Sequence, residues 1–151
     1  MKRNPNLRKL SDDHHSGLVQ ARRLKRAAAG EEDAPETVRA FLRFWAEDTR
    51  LHFREEEEVL LAVFARHGGD PGSEPVREMV ADHARIRGLV MKLDEESGVG
   101  EVDPATLQEI GDRLEAHIRL EERRVFPLVE EALTDEALEE IGARLGTSGP
   151  A

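Results

Sequence analysis

The chain has 151 residues, the size of a single domain with one core, and carries 32 acidic against 22 basic residues for a formal charge of −10. That balance repels polyanions, so neither nucleic acid nor an anionic membrane surface is expected as a partner. The absence of cysteine excludes disulfides, iron–sulfur clusters and thiol catalysis.

The basic N-terminus lacks the apolar run of a signal peptide and no stretch is long and apolar enough for a membrane span, which makes the cytoplasm the expected location. Leu, Ala, Glu and Arg dominate and tyrosine is absent, a composition that favours helix over strand. Ser11 reads as the N-cap of a first helix running to about Ala29, stopped by Gly30, with an extended arm carrying Leu7 and Leu10 ahead of it. A second helix begins near Pro35 or Glu36 and ends at "RHGGDPG". The third starts at Ser73 or Glu74, with Pro75 in its first turn, and ends at "ESGVG". The fourth is capped by Asp103 with Pro104 at its first position and runs to about Leu133; Pro127 should kink or loosen it. A short fifth helix, Asp135 to Leu145, follows Thr134 and ends at Gly146. Four long helices joined by short polar links predict an all-α, antiparallel up-down-up-down four-helix bundle, with the fifth helix packed at one end and residues 1–151 forming one domain.

The inward stripes carry the chemistry. In the second helix, Val38, Phe41, Leu42 and Trp45 lead through Thr49, His52 and Glu56 to Val59, Leu60 and Val63. In the fourth, Leu107, Ile110 and Leu114 lead through His117 and Glu121 to Val125 and Leu128, so the same pair interrupts the same stripe. The third runs Val76, Met79, Val80, His83, Ile86, Val90, Leu93, and the first His14, Leu18, Ala21, Leu24, Ala28. Aligning "DHHSGLVQARRL" on "DHARIRGLVMKL" pairs Asp13 with Asp82 and selects His14 over His15. A glutamate four residues after a histidine is turned by about 40° and raised by about 6 Å, so His52 with Glu56, and His117 with Glu121, reach one centre. Two ionised carboxylates in a bundle core cost several kcal/mol unless paired. No Lys or Arg occupies a neighbouring position on these stripes. A metal pair supplies the missing positive charge; on this reading Glu56 points inward while Glu55, Glu57 and Glu58 stay mostly wet. A hydrogen-bonded His/Glu layer without metal is the competing structure.

The residues "DDHH" around His14, "HFREEEEVLL" at 52–61, "DHARI" around His83 and "HIRLEERRVFP" at 117–127 resemble the hemerythrin family, in its histidine/glutamate-rich cation-binding branch, over about residues 7–145. The resemblance implies a non-haem di-iron centre in which Glu56 and Glu121 bridge two iron ions, His14 and His52 cap one, and His83 and His117 cap the other. Oxygen carriers of that family have a further histidine where this chain has Met79, which implies one iron short of a ligand. The family also allows the last carboxylate at i+5, which keeps Glu122 as an alternative to Glu121. Zinc or manganese is not excluded by this ligand set. His15 reads as an exposed or neighbouring residue, His67 as a helix-terminal one, and Phe41, Phe44 and Trp45 as core packing. The expected function is binding of O2 or a related small ligand such as NO or peroxide for sensing, scavenging or delivery. A di-iron oxidase or peroxidase, and an iron-handling or metal-gated interaction module, are the alternatives.

Overall fold

A computed structural model describes residues 2–147, which form five helices and, among the described residues, no strand. The helices are α1 (Arg8–Ala28), α2 (residues 34–66), α3 (Glu74–Gly98), α4 (residues 104–132) and α5 (Asp135–Thr147). Asp33, Asp103 and Thr134 cap α2, α4 and α5 by accepting from the backbone N–H of Glu36, Ala105 and Ala137. Gly30 and Gly100 turn the chain out of α1 and α3 at φ 77° and 72°, a conformation that favours glycine.

The N-terminal arm is helical and not extended. Asn4 accepts from the N–H of Asn6 at 2.9 Å and starts a 3-10 turn, Pro5–Leu7, that runs into α1 at Arg8. Ser11 therefore lies inside α1 and does not cap it. Leu7 and Leu10 still cover the bundle end, fully buried with Leu138, Ile141 and Leu145 of α5.

α1 packs against α2 and α4, and α3 against α4 and α2, which closes a four-membered ring. Links at 29–33, 67–73 and 99–103 reach at most roughly 25 Å. Helices of this length are roughly 30 to 50 Å long, so consecutive helices must run antiparallel. α1 and α4 approach closely: a Cβ at Gly111 would lie 2.8 Å from the backbone carbonyl of Ala21.

Three π-helical turns interrupt the long helices, at Trp45–Thr49 and Glu56–Leu60 in α2 and at Glu121–Val125 in α4. Pro127 follows the last of these within the first turn of Phe126–Ala132, where its missing N–H is accommodated. Each π turn inserts a residue and moves the inward stripe on by one. Val129 is buried while the expected Leu128 is only partly so, and Phe64 joins Leu60 and Val63 in the core. Leu18 (39% exposed) and Val80 (44%) are also not inward. Buried positions step 10, 14, 17, 21, 24 along α1 and 76, 79, 83, 86, 90, 93 along α3, a period near 3.5 that leaves both on the flank.

Two apolar clusters result. One holds Leu7, Leu10, Leu60, Met79, Val125 and Phe126 with α5; the other holds Leu24, Phe41, Phe53, Ile86, Leu107 and Ile118. His14 and His83 fall between the stretches of α1 and α3 that feed these clusters, as Glu56 and Glu121 do in α2 and α4, where His52 and His117 directly precede Phe53 and Ile118 of the second cluster.

Candidate metal centre

His14, His52, Glu56, His83, His117 and Glu121, all expected on inward stripes, are all buried, and Glu56 and Glu121 are fully so. The structure gathers them into two groups able to hold a metal ion, His14–His52–Glu56–Glu121 and Glu56–His83–His117–Glu121, with donor atoms in each group within 4.8 Å of one another. The two carboxylates are common to both groups. His14 Nε2 lies 2.6 Å from Glu121 Oε1, and His117 Nε2 2.9 Å from Glu121 Oε2. His52 Nε2 lies 3.1 Å from Glu56 Oε2, and His83 Nε2 3.0 Å from Glu56 Oε1. His15 is exposed.

Each histidine turns its Nε2 to the centre because a second carboxylate takes its Nδ1. His14 Nδ1 lies 2.7 Å from Glu122, His52 Nδ1 3.0 Å from Asp13, His83 Nδ1 2.6 Å from Glu57 and His117 Nδ1 3.2 Å from Asp82. An outer carboxylate that accepts from Nδ1 leaves Nε2 directed inward, so a histidine that gives up its second proton to an ion would present the Nε2 lone pair to it, the arrangement that orients metal-ligating histidines. These four outer residues were not identified from sequence. Their signal was present in the repeated Asp before His14 and His83 and the second Glu after Glu56 and Glu121. Glu122, the alternative ligand, serves this outer role, accepting also from Ser11 Oγ at 2.7 Å and from Arg3 at 3.1 Å. Arg3 reaches on to Glu130 at 2.6 Å, so the N-terminal arm ties down the support of His14.

The glutamate run differs from expectation at two positions. Glu55 is 2% exposed and pairs with Lys9, which also lies 2.9 Å from Asp13. Glu57 is half-buried between His83 and Arg87, whose Nη1 donates to it at 2.9 Å. Only Glu58 is an exposed residue, paired with Arg54. Phe53 stacks on the His83 ring at 3.9 Å and Phe126 on the His14 ring at 5.5 Å, closing the layer from both apolar clusters.

Proton affinities follow from this geometry. Burial alone would push His117 down, but the Glu121 charge, the hydrogen bond to Asp82 and the close contact with Glu121 outweigh it and raise its pKa to about 10. His52 is held well above its ordinary value against burial by the Glu56 charge and by bonds to Asp13 and Glu121. Burial would raise Glu121, yet the His117 charge, the hydrogen bond with His14 and the nearby His52 hold it well below the usual carboxylate range. Protons on the histidines thus balance the inner carboxylates in the metal-free chain. A cation pair can take over that role, because Nε2 of His52 and His117 face Oε2 of Glu56 and Glu121 at 3.1 and 2.9 Å, all four atoms buried and none in an aligned hydrogen bond. Facing buried donor atoms that are close but not aligned with one another fit a coordinating ion better than a closed hydrogen-bonded layer.

A cavity of about 400 Å³ reaches His14, His52 and His117 from the side of α1 and α2. Phe44 lines it, while Phe41 belongs to the core. His67 ends α2 and pairs with Glu140 at 3.1 Å.

Residues 6–129 match the family profile of the hemerythrin HHE cation binding domain. No curated protein and no solved structure matches the chain.

Proposed function

The chain belongs to the hemerythrin HHE cation-binding family, and we propose that it holds two iron ions, with His14 and His52 on one, His83 and His117 on the other, and Glu56 and Glu121 shared. The observation that carries this reading is the overlap of two four-residue donor groups in the same pair of carboxylates. Imidazole and carboxylate donors suit iron, with zinc or manganese as the competing ions.

Reduced iron supplies an open coordination position and the electrons that O2 accepts. The chain's own residues do the rest. Asp13, Glu57, Asp82 and Glu122 hold the four imidazoles in one orientation, and the two apolar clusters keep bulk water from both ends of the layer. Met79, one turn before His83, is fully buried in an apolar cluster, and its thioether is a poor donor for a hard ion, so an ion held by His83 and His117 would draw no ligand from this position. The protein is therefore read as binding O2 or a related small ligand, NO or peroxide, for sensing, scavenging or delivery in the cytoplasm. A second reading, turnover of peroxide or oxidation of an organic substrate, is favoured by the cavity, which is far larger than a diatomic ligand needs.

The test is metal analysis after anaerobic iron reconstitution, followed by spectra of the reduced protein before and after O2, with a peroxide-loss assay. About two iron ions per chain and a reversible spectral change are expected. Iron well below one equivalent would sink the di-iron reading, and loss of peroxide without a reversible adduct would favour the enzyme.

A further inference from the structure

Two of the four imidazoles are held on edge and face by the same device. His83 has Glu57 on its Nδ1 at 2.6 Å and Phe53 stacked on its face at 3.9 Å. Arg87 touches both supports: its Nη1 donates to Glu57 at 2.9 Å, and its guanidinium carbon lies 5.5 Å from the Phe53 ring centre. His14 has Glu122 on its Nδ1 at 2.7 Å and Phe126 stacked on its face at 5.5 Å. Here Arg3 touches both supports. Its Nη2 donates to Glu122 Oε1 at 3.1 Å and to the Glu122 backbone carbonyl at 2.7 Å, and its guanidinium carbon lies 5.3 Å from the Phe126 ring centre. A planar guanidinium can donate along its edge to a carboxylate while its face covers an aromatic ring. In both places it ties the acceptor that sets the rotation of an imidazole to the ring that fixes its plane.

The two arginines come from different places. Arg87 belongs to α3, one turn after His83, and stays wherever α3 stays. On the register that pairs His14 with His83 its counterpart in α1 is Leu18, 39% exposed, so α1 has no arginine to offer there. The arm supplies it instead. Arg3 precedes the 3-10 turn Pro5–Leu7, and its Nη1 donates to Glu130 Oε1 at 2.6 Å while the N–H of Asn4 donates to Glu130 Oε2 at 2.6 Å. Arg3 and Glu130 both lie outside the family-matched residues 6–129. The support of His14 thus depends on a segment that belongs to no long helix, whereas that of His83 does not.

We propose that Arg3 and Arg87 are matched positioning residues for His14 and His83, and that Arg3, carried by the arm, couples docking of the arm to occupancy of the site of His14 and His52. The coupling rests on the two-ion reading; the positioning of the rings rests on the metal-free geometry. Coupling between two binding events is reciprocal. A docked arm tightens the ion of His14 and His52, and that ion in turn holds the arm down through His14, Glu122 and Arg3. The ion of His83 and His117 is supported through α3 and does not respond to the arm.

The experiment compares the full chain with its Arg3→Gln, Glu130→Gln and Arg87→Gln variants, each checked for helical circular dichroism, with redox-inert zinc as the probe ion. Glu130→Gln weakens the anchor of the arm without altering Glu122, Phe126 or any histidine, so it carries the test if Arg3→Gln fails to fold. Zinc release to excess chelator is followed by absorbance, the histidine rings by nitrogen NMR, and the arm by hydrogen exchange of the Asn4 amide. In Arg3→Gln and Glu130→Gln one of the two zinc ions should leave about tenfold faster than in the unaltered chain, the low end for loss of an outer support. His14 and His52 should be the first rings to return to their metal-free positions. Arg87→Gln should do the same to His83 and His117. Zinc should slow exchange of the Asn4 amide severalfold, in the unaltered chain and in Arg87→Gln alike. In metal-free protein, exchange of the ring Nδ1–H with water should quicken for His14 in Arg3→Gln and for His83 in Arg87→Gln. Equal acceleration of both ions with both rings loosened together is what general destabilisation would give, and it overturns the proposal. Unchanged release, first loss from His83 in Arg3→Gln, or an Asn4 amide indifferent to bound zinc overturns it as well. A chain that takes up fewer than two ions yet keeps the ring selectivity counts against the two-ion reading and leaves the positioning of His14 and His83 standing.

Discussion

Glu55 to Glu58 are consecutive, yet no two share an environment. Glu55 is buried against Lys9, Glu56 faces the centre, Glu57 holds His83 and Arg87, and Glu58 is exposed beside Arg54. Metal affinity should follow that order of involvement. Glu56→Gln should lose metal, Glu57→Gln should weaken it about 10- to 100-fold through a loosened His83, and Glu58→Gln should leave it unchanged in a competition titration with a chromophoric chelator. Equal loss at Glu56 and Glu58 would mean that the helix is wrongly phased. The raised histidines make a second prediction for the metal-free chain. His117 titrates near pH 10 against an ordinary 6.5, so its contribution to stability is fully present below about pH 6.5 and disappears as pH rises toward 10. Melting temperature of chelated protein should fall across that window, and metal loading at neutral pH should release protons, measurable as calorimetric heats that scale with buffer ionisation enthalpy. A flat profile without proton release would contradict the charged layer.

At the scale of elements, the approach of α1 to α4 sets the tolerance for side chains. Replacing Gly111 with alanine gains about 1 kcal/mol of helix propensity, but the new Cβ would meet the Ala21 carbonyl at 2.8 Å and the Lys25 stem at 2.6 Å. A backbone carbonyl cannot swing aside as a side-chain tip can, and overpacking of this kind costs about 1 to 3 kcal/mol. The net effect of Gly111→Ala should be destabilising in urea titrations of metal-free protein, whereas Gly88→Ala in α3, with nothing within 4 Å of the new Cβ, should be neutral or stabilising. Stabilisation at Gly111 would show the two helices to be further apart. The π turns belong to this scale as well: those at Glu56 and Glu121 begin at the inward carboxylates and reset the stripe beyond them.

For the whole molecule, a polar layer between two apolar clusters makes metal occupancy a stability term. An ion that binds only the folded chain stabilises it by about 1.4 kcal/mol per tenfold excess over its Kd, or several degrees in melting temperature for a domain of this size. Chelation should lower the melting temperature while the helical circular dichroism remains, because neither apolar cluster contains a candidate metal ligand. The same treatment of Glu56→Gln should produce no further shift; an equal shift there would mean that the ion responsible is bound elsewhere.

Helix number, link positions and the six inward residues were legible in the sequence because each depends on a local period: caps and glycines mark ends, and a Glu four places after a His shares its face. The stripe and the repeat likewise pointed Glu121 and His14 inward, and both are buried, whereas Glu122 is partly exposed and His15 exposed. Other features needed the tertiary structure. Asp13 serves His52 of α2 and not its neighbour His14, and Glu122 reaches across to His14, contacts between helices that no local period encodes. Glu55 is buried because Lys9 of α1 comes to meet it. The π turn Glu121–Val125 shifts its stripe by one residue and left Leu128 off the core, whereas the near-3.5 period of α1 and α3 left Leu18 and Val80 on the flank. Gly17 is an ordinary glycine along the chain; only the packed structure brings Ile118 of α4 so close that an added Cβ would meet its Cδ1 at 2.9 Å.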